Sequence, residues 1–394
     1  MRERIPTLLL EANGFGWPAV AKDTLLSGLL GLPPDYALPP LLARSRLLDK
    51  VFTIRDRYAN LAYVRDWREA FLASPRLAAR TVNVNDLVAY RRARRAIAET
   101  PLVVVLHSAA GDSMEILNRT SRWFARRKGT LAVFLGNEYA LMPEKIRFLR
   151  ESGADFVCSQ LPLAAARWLY QGVPARVVAA PHALNPDVYR TERPPEERPF
   201  DVGFVGSLYP LWVGDQERND LIRRFDGGGA SLGVSTRIRY GNVPRAEWAE
   251  ALNSFRGIPG GEAGTYYLER TDETIRKMRA FLAGRPDASF GEVFDRFLRD
   301  RPRTVSGKAI SSRHFDPLGT RTCQILVEGE YNGILRAGEH YLPVKKDLSD
   351  LEDAVRRFRD RGEREAVAQR AWQLGTEEHT YARRVAGILE SIGC

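Results

Sequence analysis

The chain has 394 residues, a length that calls for two or three domains. Apolar residues make up 44% and charged residues 27%, which argues against a mostly disordered chain, a collagen-like chain and a coiled coil. Lys+Arg number 59 against 49 Asp+Glu, a net charge of +10. That excess would attract nucleic acid, anionic lipid or a phosphorylated substrate, or it simply reflects Arg-rich solvated helices such as residues 91–95 and 356–361.

No apolar run approaches the ~20 residues that span a bilayer. The longest, residues 102–106, is only of strand length, and the N-terminal apolar stretch is interrupted by Glu11. These features are those expected of a cytoplasmic protein. Cys158, Cys323 and Cys394 are odd in number and far apart, so they form neither a disulfide framework nor a zinc site. Five histidines in all make a His-rich metal site a poor expectation.

Strand-like runs then alternate with helical patterns. The first half reads as strand 7–10, helix 17–30, strand 51–54, helix 60–73, strand 81–84, helix 87–98 and strand 102–106. It continues with helix 112–127, strand 131–135, helix 144–151, strand 156–159, helix 162–170 and strand 176–179. Several of these strands are continuously apolar, as strands buried on both faces of a parallel sheet are. The series implies a doubly wound α/β domain.

Residues 191–199 (TERPPEERP) break the pattern as a charged, Pro-rich linker. A fresh strand follows at 201–205, and a second α/β series runs through 221–225, 237–240, 245–253, 332–335, 341–344 and 349–360, with residues 227–229 as a loop. Two such domains would face a cleft, with ligands beyond the carboxyl ends of the strands.

Residues just after strands therefore carry the chemistry. Gly206-Ser207 ends a strand where a backbone can approach a phosphate and a hydroxyl can donate to it. The Gly-rich run 258–265 holds one acid, Glu262, suited to sugar hydroxyls or else part of a surface turn. The densest segment is 306–347, where Lys308, Arg313 and Arg321 supply three cations that could stabilise a diphosphate leaving group beside a helix N-terminus. Thr320 reads as the N-cap of a helix, Glu328 and Glu330 lie near that helix's end, and a carboxylate there could hold a ribose. His107 follows an apolar strand and could be a base or a sugar contact, or a satisfied structural histidine; His182 has a similar standing. The P-loop, the G-x-S-x-G elbow, H-E-x-x-H and a trustworthy D-x-D are absent, and no G-x-G-x-x-G follows the first strand.

The stretches 200–208 (FDVGFVGSL), 240–256, 321–329 (RTCQILVEG) and 379–389 resemble the two-domain, GT-B type glycosyltransferases, in particular the group 1 branch that includes spore-maturation-type proteins. The likeness covers most of residues 130–394. Segment 321–329 falls where that family shows R-x-F-E-A-x-x-x-G. The family's pair of glutamates eight positions apart corresponds to Asp316 and Gln324, so the stereochemical label does not transfer.

The resemblance implies two Rossmann-like doubly wound domains facing a cleft. Residues 1–192 would form the acceptor side, 200–375 the nucleotide-sugar domain, and 376–394 a helix returning to the first domain. It implies a metal-independent glycosyltransferase with no cofactor besides its nucleotide-diphosphate sugar donor. Gly206, Ser207, Lys308, Arg313, Thr320 and Arg321 would meet the phosphates, and Gln324, Glu328 and Glu330 the nucleoside. Glu262, His314 and Asp316 would hold sugar or acceptor, with His107 as base or sugar contact. The acceptor would be a glycan, a lipid-linked glycan or a small metabolite. Peripheral contact with an anionic membrane is compatible with the charge, and no nucleic-acid motif is present. The alternatives are a phosphorylase or nucleotide-sugar epimerase of the same architecture, a glycan-binding protein without activity, and a basic nucleic-acid-binding α/β protein.

Overall fold

The computed structural model describes residues 3–32, 45 and 61–394. The strand expected at 51–54 and the first residue of the helix expected at 60–73 lie outside the described residues. The chain divides into two compact units. Unit 1 takes in Met1–Ser159, Tyr170–Val178 and Val385–Cys394; unit 2 takes in Gln160–Leu169 and Ala179–Arg384.

The sheet of unit 1 consists of β1 (Ile5–Glu11), β2 (Leu77–Asn83), β3 (Leu102–Val105), β4 (Thr130–Phe134), β5 (Phe156–Ser159) and β6 (Arg176–Ala179). Their order is β2-β1-β3-β4-β5-β6, with β1 parallel to both β2 and β3. The chain therefore winds outward in both directions from the β1/β3 pair, the switch point of a doubly wound sheet. Every residue of β3 is buried, as its unbroken Leu-Val-Val-Val run requires for a strand covered on both faces.

Local chemistry sets the helix limits. Asp86 caps helix Leu87–Arg92 by accepting the amides of Val88 and Ala89, each at 3.0 Å. The helix expected over 87–98 breaks at Ala93 into Leu87–Arg92 and Arg94–Glu99. The one expected over 112–127 is likewise two short helices, Glu115–Arg119 and Ser121–Ala125. Helix Trp17–Asp23 widens into a π-helical turn over Thr24–Leu29. At the chain's end, Arg76 bonds the Cys394 carbonyl and lies 3.7 Å from Glu390, holding the last residues within unit 1.

Unit 2 contains β7 (Phe200–Gly206), β8 (Thr236–Tyr240), β9 (Phe255–Gly260), β10 (Cys323–Val327) and β11 (Leu342–Val344), in the order β11-β10-β9-β7-β8. All neighbours are parallel, and the switch point lies between β7 and β9. Val202, Leu221, Phe225, Ile325, Leu342, Val355 and Phe358 form the centre of its core.

Three expectations are corrected in unit 2. Residues 321–329 are not a helix: Thr320 ends helix Ser312–Gly319 instead of starting one, and the buried Cys-Gln-Ile-Leu-Val run becomes β10 between β9 and β11. Phe255–Gly260 is a strand that the Gly and Pro content hid. Residues 227–229 are not a loop, since helix Glu217–Gly228 runs through the first two of those glycines. Helices Glu273–Gly284, Phe290–Phe297 and Arg361–Glu377 complete the unit.

Candidate functional site

The carboxyl edge of the unit 2 sheet gathers most of the singled-out residues. Gly206 is the last residue of β7, and Ser207 stands exposed just beyond it. Arg313, in the first turn of helix Ser312–Gly319, donates from Nη1 to the Val205 carbonyl at 2.7 Å. Its guanidinium lies 4.3 Å from the Trp248 ring centre, and Trp248 in turn donates from Nε1 to Asp316 Oδ2 at 2.9 Å. A Cβ at Gly206 would lie 3.3 Å from Arg313 Nη2, tighter than an ordinary contact, so the glycine leaves the guanidinium room against the strand end. Strand, cation and aromatic plate thus fix one another.

A second cation stands beside it. Arg218, in the first turn of helix Glu217–Gly228, stacks 4.1 Å from the Tyr209 ring centre and donates from Nη1 to the Ser207 carbonyl at 3.3 Å. Sequence reasoning missed Arg218, because nothing in Asp-Gln-Glu-Arg separates it from an ordinary charged helix start. It also missed Asp215. Lys308 is no free cation: its Nζ lies 2.6 Å from Asp215 Oδ2, with both side chains buried. Lys308 and Lys346 each lie 4.7 Å from the Tyr266 ring centre, while the Tyr266 hydroxyl donates to Glu217 at 2.6 Å.

The acid of the Gly-rich run also comes to this edge. Glu262 accepts the Tyr331 amide at 2.8 Å, and burial raises its carboxyl pKa against the lowering effect of that bond and of Lys308. A Cβ at Gly329 would lie 2.5 Å from Glu262 Oε2, so Gly329 makes room for the carboxylate. Glu328 and Glu330 are exposed beside it, after β10.

Other expected contacts are committed internally. His314 Nδ1 accepts the Ser311 amide at 3.0 Å, and Nε2 lies 3.2 Å from the Gly261 carbonyl, to which it donates in that tautomer. Burial lowers its pKa to about 4. It is a neutral clamp between the helix start and the loop after β9. Gln324 is buried and donates to the His314 carbonyl at 3.0 Å.

Thr320 and Arg321 lie at the other edge of the sheet. Cys323, two residues on, is in register with Gly257 and so with Val202, near the amino ends of β9 and β7. The Arg198 guanidinium, buried there, donates to the carbonyls of Thr320 (2.5 Å) and Phe255 (2.8 Å) and to Thr322 Oγ1 (3.0 Å). Arg321 lies 4.4 Å from the Trp372 ring centre.

His107 belongs to unit 1, beyond the carboxyl end of β3. It is buried, with ring centres of Phe134 at 5.2 Å and Trp67 at 5.5 Å. Among the described residues no group of three or more His, Cys, Asp or Glu side chains is placed to hold a metal ion, and no helix is long and apolar enough to cross a membrane.

Residues 262–390 match the family described as Glycosyl transferase-like. No curated protein matches the sequence. Among solved structures, an α-glucosyltransferase in complex with UDP and a 13-mer DNA is similar with a TM-score of 0.56 at 9% identity, over 100% of both chains. HepE of Anabaena in complex with UDP is similar with a TM-score of 0.50 at 9% identity, over 99% of both chains. The chain has the fold of the GT-B glycosyltransferases: two Rossmann-like α/β units with parallel sheets of six and five strands. Its last third carries the glycosyl transferase-like match.

Proposed function

We propose that the protein is a metal-independent glycosyltransferase that moves a sugar from a nucleotide-diphosphate sugar, a uridine diphosphate sugar as in the structural neighbours, to a glycan, lipid-linked glycan or small-metabolite acceptor. One observation carries this reading. Arg313 and Arg218 flank Gly206 at the switch point of unit 2, beside the first turn of helix Ser312–Gly319.

Transfer breaks the bond between the sugar's anomeric carbon and a diphosphate oxygen, and forms one to an acceptor oxygen that loses its proton. The leaving diphosphate gains charge as the bond breaks. Fixed guanidiniums and the positive end of a helix stabilise that charge without reorganising. The Val205 carbonyl and the Trp248 ring hold Arg313 in place beforehand. Gly206 and Ser207 bring the backbone to the phosphates. Lys308 acts with its charge shared by Asp215, and its neighbour Ala309 pairs with Ala263 in the loop that carries Glu262.

Glu262 accepts hydroxyls of the donor sugar, and Glu328 and Glu330 those of the ribose. His314 and Asp316 serve by positioning the loop and Trp248. His107 receives the acceptor proton if the reaction inverts and contacts sugar if it retains. The donor side spans residues 200–375, the acceptor side 1–192, and 376–394 return to the latter. The protein works in the cytoplasm, in peripheral contact with an anionic membrane.

Titration calorimetry with UDP and UDP-sugars, in chelator and then in magnesium, tests the proposal. Binding in chelator, lost in Arg313→Ala, supports it. Binding only with magnesium refutes the metal-independent form, and no binding of any nucleoside diphosphate refutes the whole.

A further inference from the structure

One flank of unit 1 has no part in the site above. Helices Leu87–Arg92 and Arg94–Glu99 face helices Glu115–Arg119 and Ser121–Ala125 across a groove of about 580 Å³. Arg91, Arg92, Arg94 and Arg95 line one wall and Arg119, Arg122 and Arg126 the other, with Trp123 between them. All seven arginines are exposed. Arg95 pairs with Glu99 at 3.1 Å and Arg119 with Glu115 at 2.7 Å. Among the described residues, Arg91, Arg92, Arg94, Arg122 and Arg126 have no carboxylate partner. A solvated face usually intersperses both signs, whereas this one concentrates a single sign in a concave surface, which focuses its field.

A second, independent feature adjoins the groove. Large apolar side chains stand in water here: Trp17 at 49% exposure, Leu29 at 67% and Leu30 at 59%. Trp17 adjoins the arginines directly, and the turn that carries Leu29 is bonded to the helix that carries Arg91. The Arg119 guanidinium lies 5.2 Å from the Trp17 ring centre. Thr24, on the turn that carries Leu29, accepts the Leu87 amide at 3.1 Å, and Leu87 lies one helical turn before Arg91 on the same face.

We infer that this flank docks on the surface of an anionic lipid bilayer. Arginines alone would suit any polyanion. Arginines edged by exposed Trp and Leu suit the one partner that offers both phosphate headgroups and an apolar boundary beneath them. A soluble polyanion would leave the leucines in water. The inference makes the membrane contact specific in its residues and uses none of the donor-site residues, so its test is independent of transferase activity.

The test is flotation of the full-length protein with phosphatidylcholine vesicles, with and without phosphatidylglycerol, at low and high salt and without donor. The wild type should float with phosphatidylglycerol vesicles only, and less at high salt. The quadruple variant Arg91→Ser/Arg92→Ser/Arg122→Ser/Arg126→Ser should lose about a thousandfold in partitioning. The four Arg→Lys changes should retain most of it, and Leu29→Ser/Leu30→Ser should weaken it. All of these positions are exposed, and unchanged circular dichroism and Tm verify the fold. A wild type that stays in solution with phosphatidylglycerol vesicles overturns the inference. So does a quadruple Ser variant that floats like wild type, or a protein that binds soluble polyphosphate while ignoring vesicles.

Discussion

Lys308 and Asp215, 93 residues apart in sequence, meet in a buried ion pair of 2.6 Å beside the loop that carries Glu262. Each charge is tolerated there because the other is present. Asp215→Asn, or Lys308→Met alone, leaves one buried charge uncompensated and should cost about 3–5 kcal/mol in denaturant unfolding. The double change Asp215→Leu/Lys308→Met should cost clearly less than the sum of the two. Additive losses would show that the two side chains do not interact.

Arg198 is the corresponding lock at the other edge of the unit 2 sheet. Burial lowers its pKa to about 10, and its guanidinium serves the carbonyls of Arg193, Phe255 and Thr320. Arg198→Met should destabilise by about 3 kcal/mol or more, because it orphans several buried carbonyls at once. It should leave nucleotide affinity per folded molecule unchanged, which calorimetry at low temperature would check.

Two buried histidines give a pH dependence. Burial lowers His314 to about 4 and His182 to about 3, against 6.5 when unfolded. Between these values the unfolded chain binds more protons than the folded one. Their contribution to stability is therefore fully present above pH 6.5 and is lost as pH falls from there towards the folded values. Unfolding free energy should drop by about 1.4 kcal/mol per pH unit for each histidine over that window. The slope should be shallower in His314→Gln, as urea midpoints from pH 7 to 4.5 would show.

Gly329 leaves the room that Glu262 occupies. Gly329→Ala should push the carboxylate aside and lower turnover at least tenfold, while nucleoside diphosphate binding stays near wild type. Glu262→Gln should have the same signature. Equal loss of diphosphate affinity in both would place Glu262 at the phosphates, not at the sugar.

Much of the architecture was legible. Apolar runs such as Leu102–Val105 announce doubly covered strands, whereas TERPPEERP, charged and Pro-rich, lies inside unit 2. The failures have physical causes. In β9, Phe-Arg-Gly-Ile-Pro-Gly carries too many turn residues to read as a central strand, although a Cβ at Gly257 would lie 2.4 Å from the Phe358 ring, so packing demands glycine. In β10, a run that fits a helix as well as a strand was decided by its place between two strands. Gly206, Lys308, Arg313 and Glu262 all come to the carboxyl edge of one sheet. Thr320 and Arg321 were misplaced because a shift from helix to strand moved them to the opposite edge. Arg218 and Asp215 carry no local signal, since only the fold brings them near Gly206 and Lys308.

The central claim is that a nucleoside diphosphate binds at Gly206 between Arg313 and Arg218. The most direct measurement is calorimetric titration of UDP, GDP, dTDP and CDP into wild type, Arg313→Ala, Arg218→Ala and Arg321→Ala. One diphosphate should bind the wild type, bind Arg321→Ala equally well, and lose at least tenfold in affinity to each of the other two variants. Full affinity in Arg313→Ala together with loss in Arg321→Ala would move the site to the opposite edge of the sheet and contradict the account.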